Sequence, residues 1–359
     1  MAEPIRLLTA VPICDGHDSA INTINIEFIR HGIEVVYLGY HRSARDIVRA
    51  AIQEDVRAIG ISSYNGGHIE FFAEVIELLK KEGAAHIGIF GGGGGTITRD
   101  DAAIMRRKGV ARIFFAGTPL AEIIRFVKEN YAKERRPSPA FARRSMLNGA
   151  AGAVSRSPGS QAPVCVGITG PGGAGKTTLI DELVLRFLKS NRDARIGILS
   201  HDPSIIGKGA LLGDRATMIH SQDDRVFMRS LASRGRAGGF SPGTARWLRA
   251  MKGGGFDVIF VETVGIGQEA LPFRRGVVDK SILVMSPDYG SRLQLQKIAM
   301  LDAADIVVVN KGDLAGAATA LAEIEQRLGA NRRGQRVIGA VARRHRDPGV
   351  DQLFGEIRP

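Results

Sequence analysis

The feature that most constrains this chain is a glycine-rich loop, residues 170–177, with the sequence Gly-Pro-Gly-Gly-Ala-Gly-Lys-Thr. The loop fits the pattern G-x-x-x-x-G-K-[ST], an apolar run predicts a strand before it, and apolar spacing predicts a helix after it. In that context the backbone N–H groups and the helix N-terminus face a bound phosphate. We expect Lys176 to reach the β- and γ-phosphates and the Thr177 hydroxyl to ligate Mg²⁺. The predicted nucleotide contacts in this loop are Gly172, Gly173, Ala174, Gly175, Lys176, Thr177 and Thr178.

The composition of the chain excludes several classes of protein. Its 359 residues suggest two domains, and its two cysteines argue against a disulfide framework and for a reducing, cytoplasmic environment. No apolar run could span a bilayer and no signal peptide is found, so no membrane partner is expected. The net charge of +12 is concentrated in residues 125–144 and 327–346. Without a nucleic-acid motif, and with only 6% aromatic residues, these basic stretches predict no nucleic-acid partner.

Strands and helices alternate from residue 5 to residue 131, which predicts a parallel sheet covered on both faces. Five predicted strands favour a flavodoxin-like α/β fold, in which ligands bind at the carboxyl ends of the strands. Residues 132–162 are rich in Pro, Ser, Ala, Gly and Arg and predict a linker. A second α/β unit begins at the strand before the phosphate loop. The predicted domains are residues 4–131 and residues 163–359, with the linker between them.

Three loops of the first domain follow predicted strands and are expected to meet at one edge of its sheet. They contain Asp15-Gly16-His17, Ser62-Ser63-Tyr64 and a run of glycines that begins at Gly91. A carboxylate that holds an imidazole is common beside a metal-ligating histidine, and glycines let a large ligand approach the backbone. A lone histidine in a loop is more often a polar surface residue, but three convergent loops favour a ligand site.

These motifs resemble the cobalamin-binding domain of acyl-CoA mutases, which carries Asp-x-His-x-x-Gly, Ser-x-Leu and Gly-Gly. The matching positions are Asp15, His17, Ser62, Tyr64 in place of the leucine, Gly91 and Gly92. The resemblance implies that adenosylcobalamin is the cofactor, with His17 as lower cobalt ligand and Asp15 as the hydrogen-bond partner of that histidine. It also implies that Ser62 contacts the benzimidazole tail, for which the glycines leave room. Ala20 departs from a family glycine, and the stretches SYNGGH and FGGGGG are similar to fused isobutyryl-CoA mutases.

Acidic residues also follow predicted strands of the second domain. Asp202 and Glu262 stand at the ends of two apolar strands, and Asp214 lies in a loop between them. Carboxylates placed in this way beside a phosphate loop can hold Mg²⁺ and its waters. Taken singly, each is more commonly a solvated loop carboxylate, so the prediction depends on their common setting.

The run Asn310-Lys311-Gly312-Asp313 follows another apolar strand downstream of the phosphate loop. A carboxylate can accept two hydrogen bonds from guanine N1–H and N2–H, a pair of donors that adenine lacks. We therefore predict that Asp313 selects guanine, while Asn310 and Lys311 flank the ring and support the loop. A surface turn is the alternative for this run when it is considered alone.

The second domain resembles the GTPase chaperones of cobalamin-dependent acyl-CoA mutases, in the metallochaperone branch of P-loop GTPases. The resemblance is carried by GALLGDR, RVFMRSLASR, ETVGIGQ, LQKIAMLDAADIVVVNKGD and DPGVDQLF. It implies hydrolysis of GTP to GDP with Mg²⁺ and a switch at residues 265–268 that senses the γ-phosphate. The implied catalytic residues are Lys176, Asp202, Asp214 and Glu262, and the implied Mg²⁺ contacts are Thr177 and the same three acidic residues. His201 and residues 343–346 depart from the family pattern.

Together the resemblances cover nearly all of the chain and predict a cobalamin-binding GTPase. We expect it to serve as small subunit and chaperone of a separate acyl-CoA mutase, with GTP hydrolysis gating cofactor loading or retention. No segment predicts the eight-stranded acyl-CoA-binding barrel, so a separate substrate-binding subunit would supply it. An adenosyltransferase that delivers cofactor, and a homo-oligomer or hetero-oligomer, are also expected. Two alternatives stay open, namely a cobalamin sensor or store with a non-hydrolysing nucleotide site, and a kinase or generic ATPase.

Overall fold

The structure is a computed structural model. It describes residues 4–13, 15–17, 19–133, 162–205, 207–236, 239–265, 273, 276–289, 299–329 and 334–358. These residues form two compact units. The first contains the residues up to 133 together with the segment Ser204–Ala216, and the second contains the other residues from 162 onward. Most of the predicted linker, and residues 266–268 of the predicted switch, lie outside the described residues.

The first unit is a parallel sheet whose strands alternate with helices, which agrees with the predicted α/β class. Its first strands are β1 (Arg6–Ala10), β2 (Glu34–Tyr37), β3 (Ala58–Ser62), β4 (Gly88–Gly93) and β5 (Arg112–Phe115). Its helices are α1 (Ser19–Arg30), α2 (Ala44–Gln53), α3 (His68–Lys81), α4 (Arg99–Lys108) and α5 (Leu120–Tyr131). The order β5-β4-β3-β1-β2 is flavodoxin-like and places the ligand-binding crossover between β1 and β3.

The remaining elements follow in chain order. They are β6 (Val164–Thr169), α6 (Lys176–Ser190), β7 (Ile196–Asp202), β8 (Ala210–Leu212), α7 (Asp214–Thr217), β9 (Val226–Ala232), α8 (Thr244–Lys252), β10 (Val258–Glu262), β11 (Lys280–Met285), α9 (Ala299–Ala303), β12 (Ile306–Val309), α10 (Ala317–Gly329), β13 (Arg336–Gly339) and α11 (Pro348–Ile357). The second sheet has the order β13-β12-β11-β6-β10-β7-β9 and is parallel. Its central strands are buried on both faces, which explains their continuous apolar sequence. None of the helices in the described part of the chain is long and apolar enough to cross a membrane.

A sixth strand extends the first sheet beyond the five that the alternation predicts. β8 pairs in parallel with the edge strand β2, with Ala210 opposite Glu34. The segment approaches that edge closely, since a Cβ at Gly209 would lie 1.9 Å from the carbonyl oxygen of Ile33. Pairing here satisfies backbone groups that an edge strand would leave open. The predicted five-stranded sheet is therefore corrected to six strands, because a strand of three residues is too short to show a period in sequence.

Buried ion pairs anchor this segment in the first unit. The guanidinium of Arg215 is fully buried, and its Nη2 lies 3.0 Å from Oε1 of Gln53 and 3.2 Å from Oε1 of Glu54. The other carboxylate oxygen of Glu54 lies 3.4 Å from Arg6, which also pairs with Glu34 at 2.7 Å. Mutual pairing offsets the desolvation of these charges. The network therefore joins Arg215, from the second half of the sequence, to strands and a helix of the first half.

The glycine run after Phe90 belongs partly to a strand rather than to the loop that the sequence predicts. β4 extends through Gly93, and Gly91 and Gly92 pair with residues of β3 and β5. A Cβ at Gly91 would lie 2.5 Å from the carbonyl oxygen of Ile61, and one at Gly92 would lie 2.6 Å from that of Phe114. Glycine is usually rare in strands, but here the backbones approach too closely for a side chain.

Candidate functional sites

The loop after β1 holds a histidine against a buried carboxylate. Oδ1 of Asp15 lies 2.8 Å from Nδ1 of His17 and accepts the His17 backbone N–H at 2.9 Å. Oδ2 of Asp15 accepts the backbone N–H of Tyr64. Burial opposes ionisation of Asp15, but these hydrogen bonds outweigh it and keep the pKa of the carboxyl below its usual value. The carboxylate thus orients the imidazole through Nδ1.

The imidazole of His17 is presented to the surface. Its side chain is 68% exposed, and its ring stacks on Tyr64 with 5.4 Å between the ring centroids. Tyr64 in turn lies against Gly94, where a Cβ would be 1.8 Å from the tyrosine ring. With Nδ1 held by Asp15, Nε2 is the nitrogen that can bind a metal. This donor set fits a cobalt ion, and the structure brings the predicted Asp15, His17 and Tyr64 together.

A cavity of about 390 Å³ lies between the first sheet and helices α1 and α5. Its walls are mainly apolar and include Ala20, Ile21, Ile24, Phe28, Phe90, Phe114, Leu120 and Ile123. The predicted residues Ser62, Tyr64, Gly91 and Gly92 also line it. Small-molecule sites commonly have volumes of about 300–1,000 Å³ with apolar walls and a few polar groups. The space therefore fits an aromatic base with a short polar chain, and Tyr64 connects it to His17.

Thr9 is a polar residue of this cavity that the sequence analysis did not single out. It lies on β1, opposite Gly60 of β3, and is 1% exposed. Its hydroxyl oxygen is buried and has no hydrogen-bond partner among the residues that the structure describes. A buried hydroxyl without a partner is costly, which points to a polar ligand atom. A threonine inside an otherwise apolar strand was the available signal, but strand threonines are too common to indicate a site.

The phosphate loop has the backbone that its motif predicts. Gly173 and Gly175 have φ values of 75° and 88°, in the left-handed region that favours glycine. α6 begins at Lys176, so its free N–H groups open onto the loop. The Lys176 Nζ donates to the carbonyl oxygens of Gly170 and Pro171 at 3.0 and 3.1 Å. The side chain therefore lies across the loop, while Ala174 is buried beneath it and Thr178 is exposed.

The predicted Mg²⁺ residues are only partly gathered. The Thr177 hydroxyl donates to Oε1 of Glu262 at 2.8 Å. Glu262 and Asp202 are buried at the carboxyl ends of the neighbouring strands β10 and β7. Asp214 instead belongs to the Ser204–Ala216 segment of the first unit. Within the described ranges, no three His, Cys, Asp or Glu side chains converge as a ready-made metal site.

His201 supports the strand end that carries Glu262. Its Nδ1 lies 2.6 Å from the Glu262 carbonyl oxygen, and its Nε2 lies 2.7 Å from the hydroxyl of Thr244. Burial lowers the pKa of His201 to about 4, so the ring is neutral, with Nδ1 donating and Nε2 accepting. This histidine replaces a residue that is usually hydrophobic in the family it resembles, and here it bridges β10 and α8.

The predicted base-reading loop is fixed by Asn310. The side-chain amide of Asn310 donates to the carbonyl oxygen of Ala174 at 2.9 Å and accepts the N–H of Ala342 at 2.9 Å. It therefore ties the phosphate loop to the loop after β13. Lys311 has a φ of 60°, which is uncommon for a residue other than glycine. The carboxylate of Asp313 is paired with Arg343, a contact that spacing in the sequence could not reveal.

Comparison with known proteins agrees with this geometry. A family model described as B12 binding domain matches residues 5–124. Fused isobutyryl-CoA mutases of Cupriavidus metallidurans and Geobacillus kaustophilus are each 38% identical over 98% of this chain, which covers 35% and 36% of their lengths. The mouse methylmalonic aciduria type A homolog, mitochondrial, is 32% identical over 54% of this chain and 46% of its own length. The chain thus spans about a third of the length of the fused mutases that it matches.

A further family model, described as methylmalonyl-CoA mutase-associated GTPase MeaB, matches residues 129–358. This match covers more than half of the chain and includes the phosphate loop and the base-reading loop. The B12-binding match covers the strands and helices that form the cavity. The chain therefore belongs to the MeaB family of methylmalonyl-CoA mutase-associated GTPases, and it carries a B12-binding domain before its GTPase domain.

Proposed function

We propose that this chain is a cobalamin-binding GTPase that serves as small subunit and chaperone of a separate acyl-CoA mutase. The observation that carries the proposal is the Asp15–His17 pair beside the apolar cavity of the first unit. An imidazole backed by a carboxylate suits cobalt, and the adjacent cavity suits the base that the imidazole would displace. In this proposal GTP hydrolysis gates the loading or retention of the cofactor.

Adenosylcobalamin would be held by residues of the first unit. His17 would ligate cobalt through Nε2, Asp15 would keep the proton on Nδ1, and Ser62 would contact the tail in the cavity. The close packing of Gly91 and Gly92 keeps side chains out of that space. When bound, the cofactor supplies radical chemistry. The contribution of this chain is to bind it, orient it and shield its tail from water.

GTP would bind in the second unit. Lys176 and the backbone N–H groups of the phosphate loop would hold the phosphates, and the Thr177 hydroxyl would move from Glu262 to Mg²⁺. Glu262 and Asp202 would hold the waters of that ion. A role for Asp214 in this chemistry rests on sequence resemblance alone. Asp313 would read guanine, with Asn310 and Lys311 supporting it.

Coupling between nucleotide and cofactor is supported by the path of the chain. The segment Ser204–Ala216 follows β7 and precedes β9 of the second sheet, yet it contributes β8 to the first sheet. A nucleotide-dependent change at the end of β7 would therefore be transmitted along the backbone into the B12-binding unit. The name of the fused relatives supports a mutase as the partner, and we propose that a substrate-binding subunit and a cofactor-delivering adenosyltransferase bind this chain as a hetero-oligomer or homo-oligomer.

The proposal is tested by measuring both ligands on one preparation. The absorption spectrum of added cobalamin should change on binding and change again with GTP, and phosphate should be released from GTP only with Mg²⁺. Glu262→Ala should slow phosphate release at least about 10-fold, whereas Glu325→Ala, an exposed position on α10, should not. A chain that binds neither ligand contradicts the proposal. Cobalamin binding without phosphate release would instead favour a sensor or store.

A further inference from the structure

We propose that Arg343 is a specificity-determining residue of the nucleotide site, which competes with guanine for Asp313 and so sets the affinity for guanine nucleotides. The inference rests on the proposed function, since it takes Asp313 as the guanine-reading carboxylate. The observation behind it is the ion pair between the Arg343 guanidinium and that carboxylate.

The backbone around Arg343 is held next to the base-reading loop. The N–H of Gly312 donates to the carbonyl oxygen of Ala340 at 2.9 Å, and the N–H of Ala342 donates to Oδ1 of Asn310 at 2.9 Å. The N–H of Arg344 donates to the carbonyl oxygen of Val341 and closes the following turn. These bonds fix where the side chain of residue 343 begins. The guanidinium is therefore always within reach of Asp313, as an intramolecular competitor at high effective concentration.

The two donors that Asp313 can accept are chemically alike. A guanidinium presents neighbouring N–H groups to a carboxylate, and guanine presents N1–H and an N2 amino group along one edge. The side chain of Asp313 is only 9% exposed, so few directions of approach remain open, whereas that of Arg343 is 74% exposed and free to swing away. One carboxylate in such a setting serves one of these partners at a time. Guanine must therefore displace Arg343 to be read.

Neighbouring charges do not take over this role. His345 points to another carboxylate, with its Nδ1 2.7 Å from Oε1 of Glu182. Arg344 is exposed and forms no ion pair with any residue that the structure describes. Arg344 is thus a matched control, because its substitution removes the same charge from the same loop without touching Asp313.

The test is the dissociation constant for GDP, measured with a fluorescent guanine nucleotide on the full chain. We expect Arg343→Ala to bind about 3- to 10-fold more tightly than wild type, the range for one charged hydrogen bond near the surface. Arg344→Ala should bind as wild type does, and Arg343→Lys should lie between wild type and Arg343→Ala.

A double-mutant cycle separates competition from a general charge effect. In an Asp313→Ala background, Arg343→Ala should no longer tighten binding. Equal or weaker binding by Arg343→Ala than by wild type, or the same gain in the Asp313→Ala background, overturns the inference while leaving the proposed function intact. Wild type that binds no guanine nucleotide, or prefers an adenine nucleotide, contradicts the proposed function itself.

Discussion

The two candidate sites lie at the carboxyl edges of two parallel sheets but are built in opposite ways. The site in the first unit is a cavity with apolar walls, in which the hydroxyl of Thr9 has no partner within the described part of the chain. In the second unit the polar groups bond to one another: Lys176 to its own loop, Thr177 to Glu262 and Asp313 to Arg343. The first site binds by filling space, whereas the second must exchange hydrogen-bond partners. Its affinity is therefore set as much by what those groups already contact as by the ligand.

The comparison breaks down at the buried ion pairs of the first unit, which are the charged exception to its apolar design. None of Arg6, Glu34, Glu54 and Arg215 lines the cavity. We expect Arg215→Met to lower the free energy of unfolding of the first unit by about 3–5 kcal/mol, because it leaves Glu54 buried with one partner fewer. Denaturant unfolding followed by a signal from the first unit measures this loss.

An exposed ion pair of the same unit provides the control for that experiment. Arg30 contacts Glu27 at 2.6 Å, but its side chain is 68% exposed, so Arg30→Ala should cost less than about 0.5 kcal/mol. If Arg215→Met costs no more than Arg30→Ala, the segment Ser204–Ala216 is not an integral part of the first unit.

The second unit is sharpened as a hydrogen-bonded network by His201. Its pKa is about 4 in the folded chain and about 6.5 when unfolded, so the unfolded chain binds more protons between these values. The free energy of unfolding of the second unit should therefore fall as the pH drops from 6.5 towards 4, by up to about 3 kcal/mol. His201→Gln should flatten this dependence, and His31→Gln, an exposed histidine of the first unit, should not. An unchanged pH profile in His201→Gln would remove this residue from the account.

A smaller effect is expected from the cavity, where one hydroxyl is at stake. Thr9→Val keeps the shape of the side chain but removes the buried donor, so cobalamin should bind about 3- to 10-fold more weakly. Cobinamide, which lacks the nucleotide tail, should bind equally to both proteins. Thr23→Val is the matched control, because Thr23 lines the same cavity but its hydroxyl already donates to Ser19. Weaker binding of cobinamide by Thr9→Val would indicate damage to the fold instead.

The sequence predicts the fold where its signals are repeated. The alternation of apolar strands with amphipathic helices predicts both sheets and the position of each strand in the first domain before residue 131. β8 escapes prediction because Ala210–Leu212 is too short for a period and pairs with a strand far away in sequence. The glycines of β4 escape because their role depends on how closely Ile61 and Phe114 approach.

The sites are predictable to the extent that their chemistry is local. Asp15 and His17 are two residues apart, and the phosphate loop is continuous, so spacing alone brings these groups together. The pairing of Asp313 with Arg343 and the depth of Thr9 depend on packing between distant segments, which no local pattern encodes. Asp214 shows the converse, since its motif suggested the nucleotide site while its segment folds into the first unit.

The central claim is that His17, rather than the base of the tail, binds cobalt in this chain. The direct measurement is the electron paramagnetic resonance spectrum of the complex with reduced, paramagnetic cobalamin, prepared with protein whose histidines carry ¹⁵N. Coupling to a ¹⁵N ligand splits each cobalt line into two, and we predict this doublet for wild type and its loss in His17→Ala. A ¹⁴N triplet from wild type would mean that the base of the tail keeps its place on cobalt, and would contradict the account.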